Sequence, residues 1–190
     1  PLHRDRLLHG ARRLSIPVPE LDIECALRDL PSEPVQSLRL TLSRGSGPRG
    51  YDPGPCSTPR LRLLGHPLPR DPRVPLPAAQ VEFSSVTMAD QPLLAAIKHG
   101  NRLEQVLAAA ELASCDADDA LLLNASGHVQ CAIAANVFAL CGDTLCTPPC
   151  DRAGVAGTRR RLLLEKLAPQ LGLRPVEAPL SPRQCQQADA

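Results

Sequence analysis

Apolar positions along the chain come in short, interrupted runs, and their spacing changes from segment to segment. Leu7, Leu8, Ala11 and Leu14 recur at helical intervals with Arg and His on the other face, which predicts an opening helix. Glu20 to Leu30 predicts a second amphipathic helix, with Leu21, Ile23, Ala26 and Leu27 inward. Ser37–Ser43 (SLRLTLS) and Arg60–Leu64 (RLRLL) alternate polar and apolar, as half-buried strands do. Between them RGSGPRGY at 44–51 reads as a turn-rich loop, and five prolines within 66–77 read as a linker.

Beyond the linker, Val81–Ser85 predicts a strand. Leu93–Ile97 reads as a further buried strand ending at Lys98. Leu103, Val106, Leu107 and Ala110 form an apolar stripe at i, i+3, i+4 and i+7, which predicts a helix. Strands are expected at Ala120–Leu123, His128–Ile133, Asn136–Cys141 and Thr144–Cys146, followed by a helix from Gly154–Gly157 to about Leu171 with Gly172 as its C-cap. Ser181–Ala190 reads as a terminal helix that stops without a core partner. The fold class expected is α/β: a small α+β domain over 1–65, a linker over 66–77 and a larger mixed α/β domain over 78–190. Starting on Pro1 and stopping mid-architecture, the sequence reads as a piece of a longer protein.

Composition narrows the function. The 21 cations and 20 anions leave +1, and aromatic residues are 2% of the chain, so neither a nucleic-acid coat nor a stacking platform is expected. The apolar stretch Cys131–Gly142 is too short to span a bilayer, which takes about 20 residues. Arg4, Asp5, Arg6, Arg12 and Arg13 interrupt any early apolar run, so no secretory leader is read there and a cytoplasmic location is expected. The cysteines at 25, 56, 115, 131, 141, 146, 150 and 185 are then expected to be reduced. Cys141, Cys146 and Cys150 have a faintly metal-like spacing, but no C-x-x-C pair exists, so no metal is expected.

Lys98 and Lys166 are the only lysines, against 19 arginines. Arg keeps its proton, whereas a Lys amine can lose it and become a nucleophile. A lysine after a buried run and just before a helix would be partly desolvated, as a Schiff-base lysine requires; it could equally be a lysine snorkelling from a strand end. Gly154-Val155-Ala156-Gly157-Thr158-Arg159 sits where a loop enters a helix. Backbone amides there favour an anion such as a phosphate, although an ordinary turn has the same pattern. Arg44, Arg49 and Tyr51 could clamp carboxylates or simply decorate a solvated hairpin tip.

Taken together, KHGNRLEQVL at 98–107, RGSGPRGY at 44–51, ALLLNASGHV at 120–129, AANVF at 134–138, TPPCDRAGVAG at 147–157 and PLSPRQCQQAD at 179–189 resemble the aminodeoxychorismate lyases. These belong to the fold-type IV pyridoxal-phosphate enzymes, with the branched-chain and D-amino acid aminotransferases. The resemblance covers nearly the whole chain and implies that strands are missing at both ends. It implies pyridoxal 5′-phosphate as cofactor and Lys98 as Schiff-base lysine and general base. Arg6 would hold the cofactor phosphate, as would the backbone at Gly157, Thr158 and Arg159. Arg39, Arg49 and Tyr51 would meet substrate carboxylates. The substrate implied is 4-amino-4-deoxychorismate, converted to 4-aminobenzoate and pyruvate in folate synthesis by a homodimer. One position departs from the pattern: Cys131 stands where the family carries a Glu that pairs with the pyridine nitrogen. That change is more tolerable in a lyase, which gains an aromatic ring, than in an aminotransferase. The alternatives are a fold-type IV aminotransferase and an inactive relative.

Overall fold

A computed structural model describes residues 2–18, 36–54, 58–68, 71 and 74–190. The helix expected at Glu20–Leu30, and with it Cys25 and Cys56, lies outside the described residues. The chain divides into two units, Pro1–Pro77 and Ala78–Ala190.

In the first unit, α1 (Leu2–Arg13) buries Ala11 and leaves its Arg and His positions largely in solvent. Strands β1 (Gln36–Ser43) and β2 (Arg60–Pro67) pair antiparallel with Leu40 opposite Leu63 and Leu42 opposite Leu61. The alternation read in the sequence is therefore a two-stranded ribbon with Leu40, Leu42, Leu61 and Leu63 on one face and Leu64 opposite Arg39 on the other.

The second unit is built on β3 (Val81–Met88), β4 (Asp119–Asn124) and β5 (Val129–Ala132). β3 and β4 run parallel and β5 returns antiparallel to β4. The β3–β4 crossover carries α2 (Leu103–Leu112). A second sheet holds β6 (Ala139–Cys141), β7 (Thr144–Thr147) and β8 (Arg174–Glu177), with β6–β7 antiparallel and β7–β8 parallel. The helix between them starts as α3 (Thr158–Leu162), passes through a π-helical turn (Leu163–Leu167) and ends as α4 (Ala168–Gln170). Gly172, at φ +73°, closes it as expected.

Successive residues of β4 serve opposite faces of the sheet, because side chains alternate along a strand. Leu122 packs with Met88, Ala108, Cys131 and Ala153; Leu121 packs with Val129, Ala132, Ala139 and Leu180.

Four expectations need correction. The stripe on α2 faces outward: Leu103, Val106 and Leu107 are 75%, 60% and 59% exposed, and Ala108 faces the sheet instead. Polar contacts hold that inner face, since Glu111 accepts from Ser84 Oγ and the Ser85 amide, and Gln105 Nε2 lies 3.9 Å from Met88 Sδ. The strand expected from Asn136 begins only at Ala139, because Ala132 N–H donates to Ala135 O and turns the chain. Leu93–Ile97 is a series of turns, with Leu94 and Ala95 amides both donating to Gln91 O. The C-terminal segment does have core partners. Its helix α5 (Pro182–Gln186) opens with a capping box between Ser181 and Gln184. Cys185 and Ala188 pack on the Leu121 cluster, and residues 189 and 190 bond to Leu140. Among the described residues no helix is long and apolar enough to cross a membrane.

Candidate functional site

Lys98 follows the C-terminal end of β3, the end at which parallel α/β sheets place their ligand sites. A short zipper holds its segment. Gln91 N–H donates to Arg152 O (2.8 Å), Ala96 N–H to Gly154 O (3.1 Å), and Ala156 N–H to Ala96 O (2.9 Å). Ala96 has φ +68°, a left-handed conformation that costs a non-glycine residue about 1 kcal/mol and persists only where its surroundings enforce it. The double bond to the 154–156 loop is that enforcement. Ile97 then plugs into the interior at 1% exposure, and Lys98 emerges exposed.

The glycines of the facing loop are required for different reasons. Gly154 sits at φ +80°, where a side chain would be strained, and a Cβ there would also lie 3.0 Å from Gln130 Nε2. Gly157 has an ordinary φ of −64°, but a Cβ there would overlap Asn136 Oδ1. Gly157 is the N-cap of α3 and offers no side chain to the first helical amides, those of Thr158 and Arg159. Amides at such a start suit a phosphate.

Behind this loop two amides brace its carbonyls. Gln130, 4% exposed on β5, donates through Nε2 to Pro149 O (2.8 Å) and Ala153 O (3.3 Å). Asn136 donates through Nδ2 to Val155 O (2.8 Å). Arg160, 7% exposed, donates to Pro148 O (2.9 Å) and to Glu177 (2.7 Å).

Cys131 lies on β5 at 7% exposure, its Sγ 3.3 Å from Met88 Sδ. Burial among apolar groups pushes its thiol from 9.0 to about 12, with the Arg102 charge opposing. The side chain is thus a neutral thiol at physiological pH. The thiolate is the alkylating species, so iodoacetamide at pH 8.5 should label the exposed Cys115 and Cys141 and spare Cys131. Labelling of Cys131 at the rate of Cys115, read by peptide mass mapping, would contradict this.

Arg102 donates through Nη2 to Ile97 O at 3.2 Å, fixing the peptide just before Lys98. Glu104 accepts from Ala89 N–H at 2.8 Å, tying α2 to the end of β3. His99 accepts from Asn101 N–H through Nδ1. Burial first, and then Arg102, lower its pKa, so its ring is neutral at neutral pH. These residues, with Met88, Leu94 and Gly154, line a cleft of about 530 Å³. Among the described residues no group of three His, Cys, Asp or Glu could hold a metal ion.

The Ala78–Ala190 unit thus joins the Lys98 segment to the loop at Gly154 and Ala156, which leads into Gly157, Thr158 and Arg159. It also places Cys131 against Met88, a wall of the cleft. Arg6, on α1, is half-buried; Arg39 on β1 and Arg49 and Tyr51 in the following loop are exposed. All four belong to the Pro1–Pro77 unit, which is described by itself. No motif in the sequence gives Gln130, Asn136 or Arg160 a role of its own. Their only sequence signal was the pair of glycines they crowd or brace.

Residues 1–190 match the amino-transferase class IV family throughout. The chain belongs to that family. Its enzymes depend on pyridoxal 5′-phosphate. The chain is 33% identical over 172 residues to an aminodeoxychorismate lyase of Vibrio harveyi, covering 87% of this chain and 62% of that protein. It is 31% identical over 188 residues to a Methanocaldococcus jannaschii protein assigned provisionally to the branched-chain-amino-acid aminotransferases, covering 94% and 63%. The crystal structure of 4-amino-4-deoxychorismate lyase from Pseudomonas aeruginosa superposes with a TM-score of 0.83 at 33% identity, over 99% of this chain and 70% of that one. The chain therefore spans a little over three fifths of the length of these curated relatives. The mixed α/β architecture and the pyridoxal-phosphate class both agree with the expectations drawn from the sequence.

The residues present fit that cofactor. An exposed primary amine is carried on a segment bonded to a helix-start loop, and that helix has no side-chain cap. Beside the Met88–Cys131 wall, Gln105 Oε1 is buried without a hydrogen-bond partner among the described residues.

Proposed function

We propose that the protein is a pyridoxal-phosphate-dependent lyase converting 4-amino-4-deoxychorismate to 4-aminobenzoate and pyruvate. The observation that supports this reading is the paired bond of Ala96 to Gly154 and Ala156, which ties the segment before Lys98 to the loop that leads into α3. The similarity to the lyases of Vibrio harveyi and Pseudomonas aeruginosa supports the substrate class.

Bound pyridoxal phosphate supplies an aldehyde and a ring that withdraws electrons from the carbon being deprotonated. Lys98 is the residue that would hold that aldehyde at rest. Its freed amine would take the proton from the amine-bearing carbon of the substrate; the enolpyruvyl oxygen would leave with its bonding electrons, the ring would become aromatic, and a proton returned to the departing group would give pyruvate. The amides of Thr158 and Arg159 would hold the cofactor phosphate, a role the family resemblance also gives to Arg6. Arg39, Arg49 and Tyr51 meet the substrate carboxylates, whose charge and planarity suit guanidinium forks. Cys131, the residue that would meet the pyridine nitrogen, is neutral and would not hold a proton there as a carboxylate would. A reaction that gains aromaticity tolerates that loss better than amino-group transfer does. Cytoplasmic location and homodimeric assembly belong to the same proposal.

The 31% identity with the Methanocaldococcus jannaschii protein favours, as second reading, an aminotransferase. One assay separates the two. The lyase predicts pyruvate and 4-aminobenzoate from aminodeoxychorismate with no 2-oxo acid added; transfer from glutamate or D-alanine to a 2-oxo acid, with neither pyruvate nor 4-aminobenzoate released from aminodeoxychorismate, would reverse the assignment.

A further inference from the structure

Asn136 braces the loop facing the Lys98 segment at more than one point. It leaves the turn that Ala132 and Ala135 close after β5. Its Nδ2 donates to Val155 O at 2.8 Å, and its Oδ1 lies so close to Gly157 that no Cβ could stand there. One short amide therefore fixes the loop at two points, by a hydrogen bond at 155 and by contact at 157.

Val155 is also the bridge partner of Ala96, whose two backbone bonds flank it at 154 and 156. The strained Ala96, the 154–156 loop and the start of α3 consequently form one frame, with Asn136 as its outer brace. Resting on the cofactor reading above, we propose that Asn136 is a positioning residue. Acting through Val155 and Gly157, it sets the spacing between the Lys98 amine and the phosphate-binding amides of Thr158 and Arg159.

A lysine amine must reach the aldehyde at one end of the cofactor while the amides hold the phosphate at the other. An error of a fraction of an ångström in their spacing is felt only by a ligand that uses both ends. Pyridoxal, which lacks the phosphate, uses one end alone. Loss of the brace should thus erase the preference for the phosphorylated aldehyde rather than lower all reactivity at Lys98.

The test uses the full-length protein, titrated with pyridoxal phosphate and separately with pyridoxal. Each is trapped by borohydride, and the adduct at Lys98 is quantified by peptide mass mapping. Asn136→Ala is expected to lower the ratio of the two apparent affinities by about five- to tenfold, the worth of roughly one hydrogen bond to a fixed backbone group. Labelling by pyridoxal is expected to stay within about twofold. Asn136→Asp, which keeps the size but loses the donor, should move the ratio the same way, and serves if the alanine variant does not fold. An unchanged ratio in a folded variant overturns the proposal. Equal losses for both aldehydes overturn it too, since that is what a merely structural role gives. No Lys98 adduct in the unmodified protein would overturn the cofactor reading itself, a separable result.

Discussion

Replacing Lys98 by Ala should lower pyruvate release from aminodeoxychorismate by at least about a thousandfold, because the variant loses both a covalent anchor and a general base, each worth orders of magnitude. Lys98→Arg should be nearly as inactive. It keeps the positive charge and much of the length, but a guanidinium neither gives up its proton nor joins an aldehyde usefully. Both variants should fold normally. Lys98 is exposed, and the backbone bonds that hold its segment belong to Ala96, two residues earlier. Melting temperature measured beside activity separates a chemical loss from a structural one. An alanine variant that retains a tenth of the activity would remove Lys98 from the chemistry.

The second large effect is one of stability and runs against the order of burial. Arg160 is 7% exposed and its partner Glu177 is 52% exposed. Removing the more exposed partner should cost more. Glu177→Ala would leave a buried guanidinium with Pro148 O as its recorded acceptor and with Nε already unsatisfied. An uncompensated buried charge of this kind costs about 3 kcal/mol. Arg160→Met would remove the charge, keep an apolar stem in the same space and release Glu177 into water. The expected cost is about 1 kcal/mol, since replacing a buried pair by apolar volume is often close to neutral. Urea unfolding of the two variants decides the order, and a larger loss for Arg160→Met would show that the carboxylate contributes little.

Strands with a strong local pattern were legible without a structure. SLRLTLS alternates cleanly because one face of the β1–β2 ribbon is half-buried, and LLL at 121–123 reads as an apolar run because both faces of β4 are covered. β8 was missed because RPVE is four residues long and carries a proline, tolerated where β8 pairs on one side with β7. The periodicity of α2 gave the helix but not its inward face. The stripe of large apolar residues is exposed, and a small alanine with polar neighbours approaches the sheet. At the site, the lysine and the glycine loop were visible as residue types and spacing. Asn136 and Gln130 were not, because their partners lie 19 and 23 residues away along the chain and only the fold brings them together.

The account rests on one covalent event, and a single measurement addresses it. Full-length protein is incubated with pyridoxal phosphate, reduced with borohydride, digested and mapped by mass spectrometry. The phosphopyridoxyl group is predicted on Lys98, with Lys166 unlabelled as the internal control. A modified Lys166 beside an unmodified Lys98, or no modified peptide from a folded protein, would contradict it.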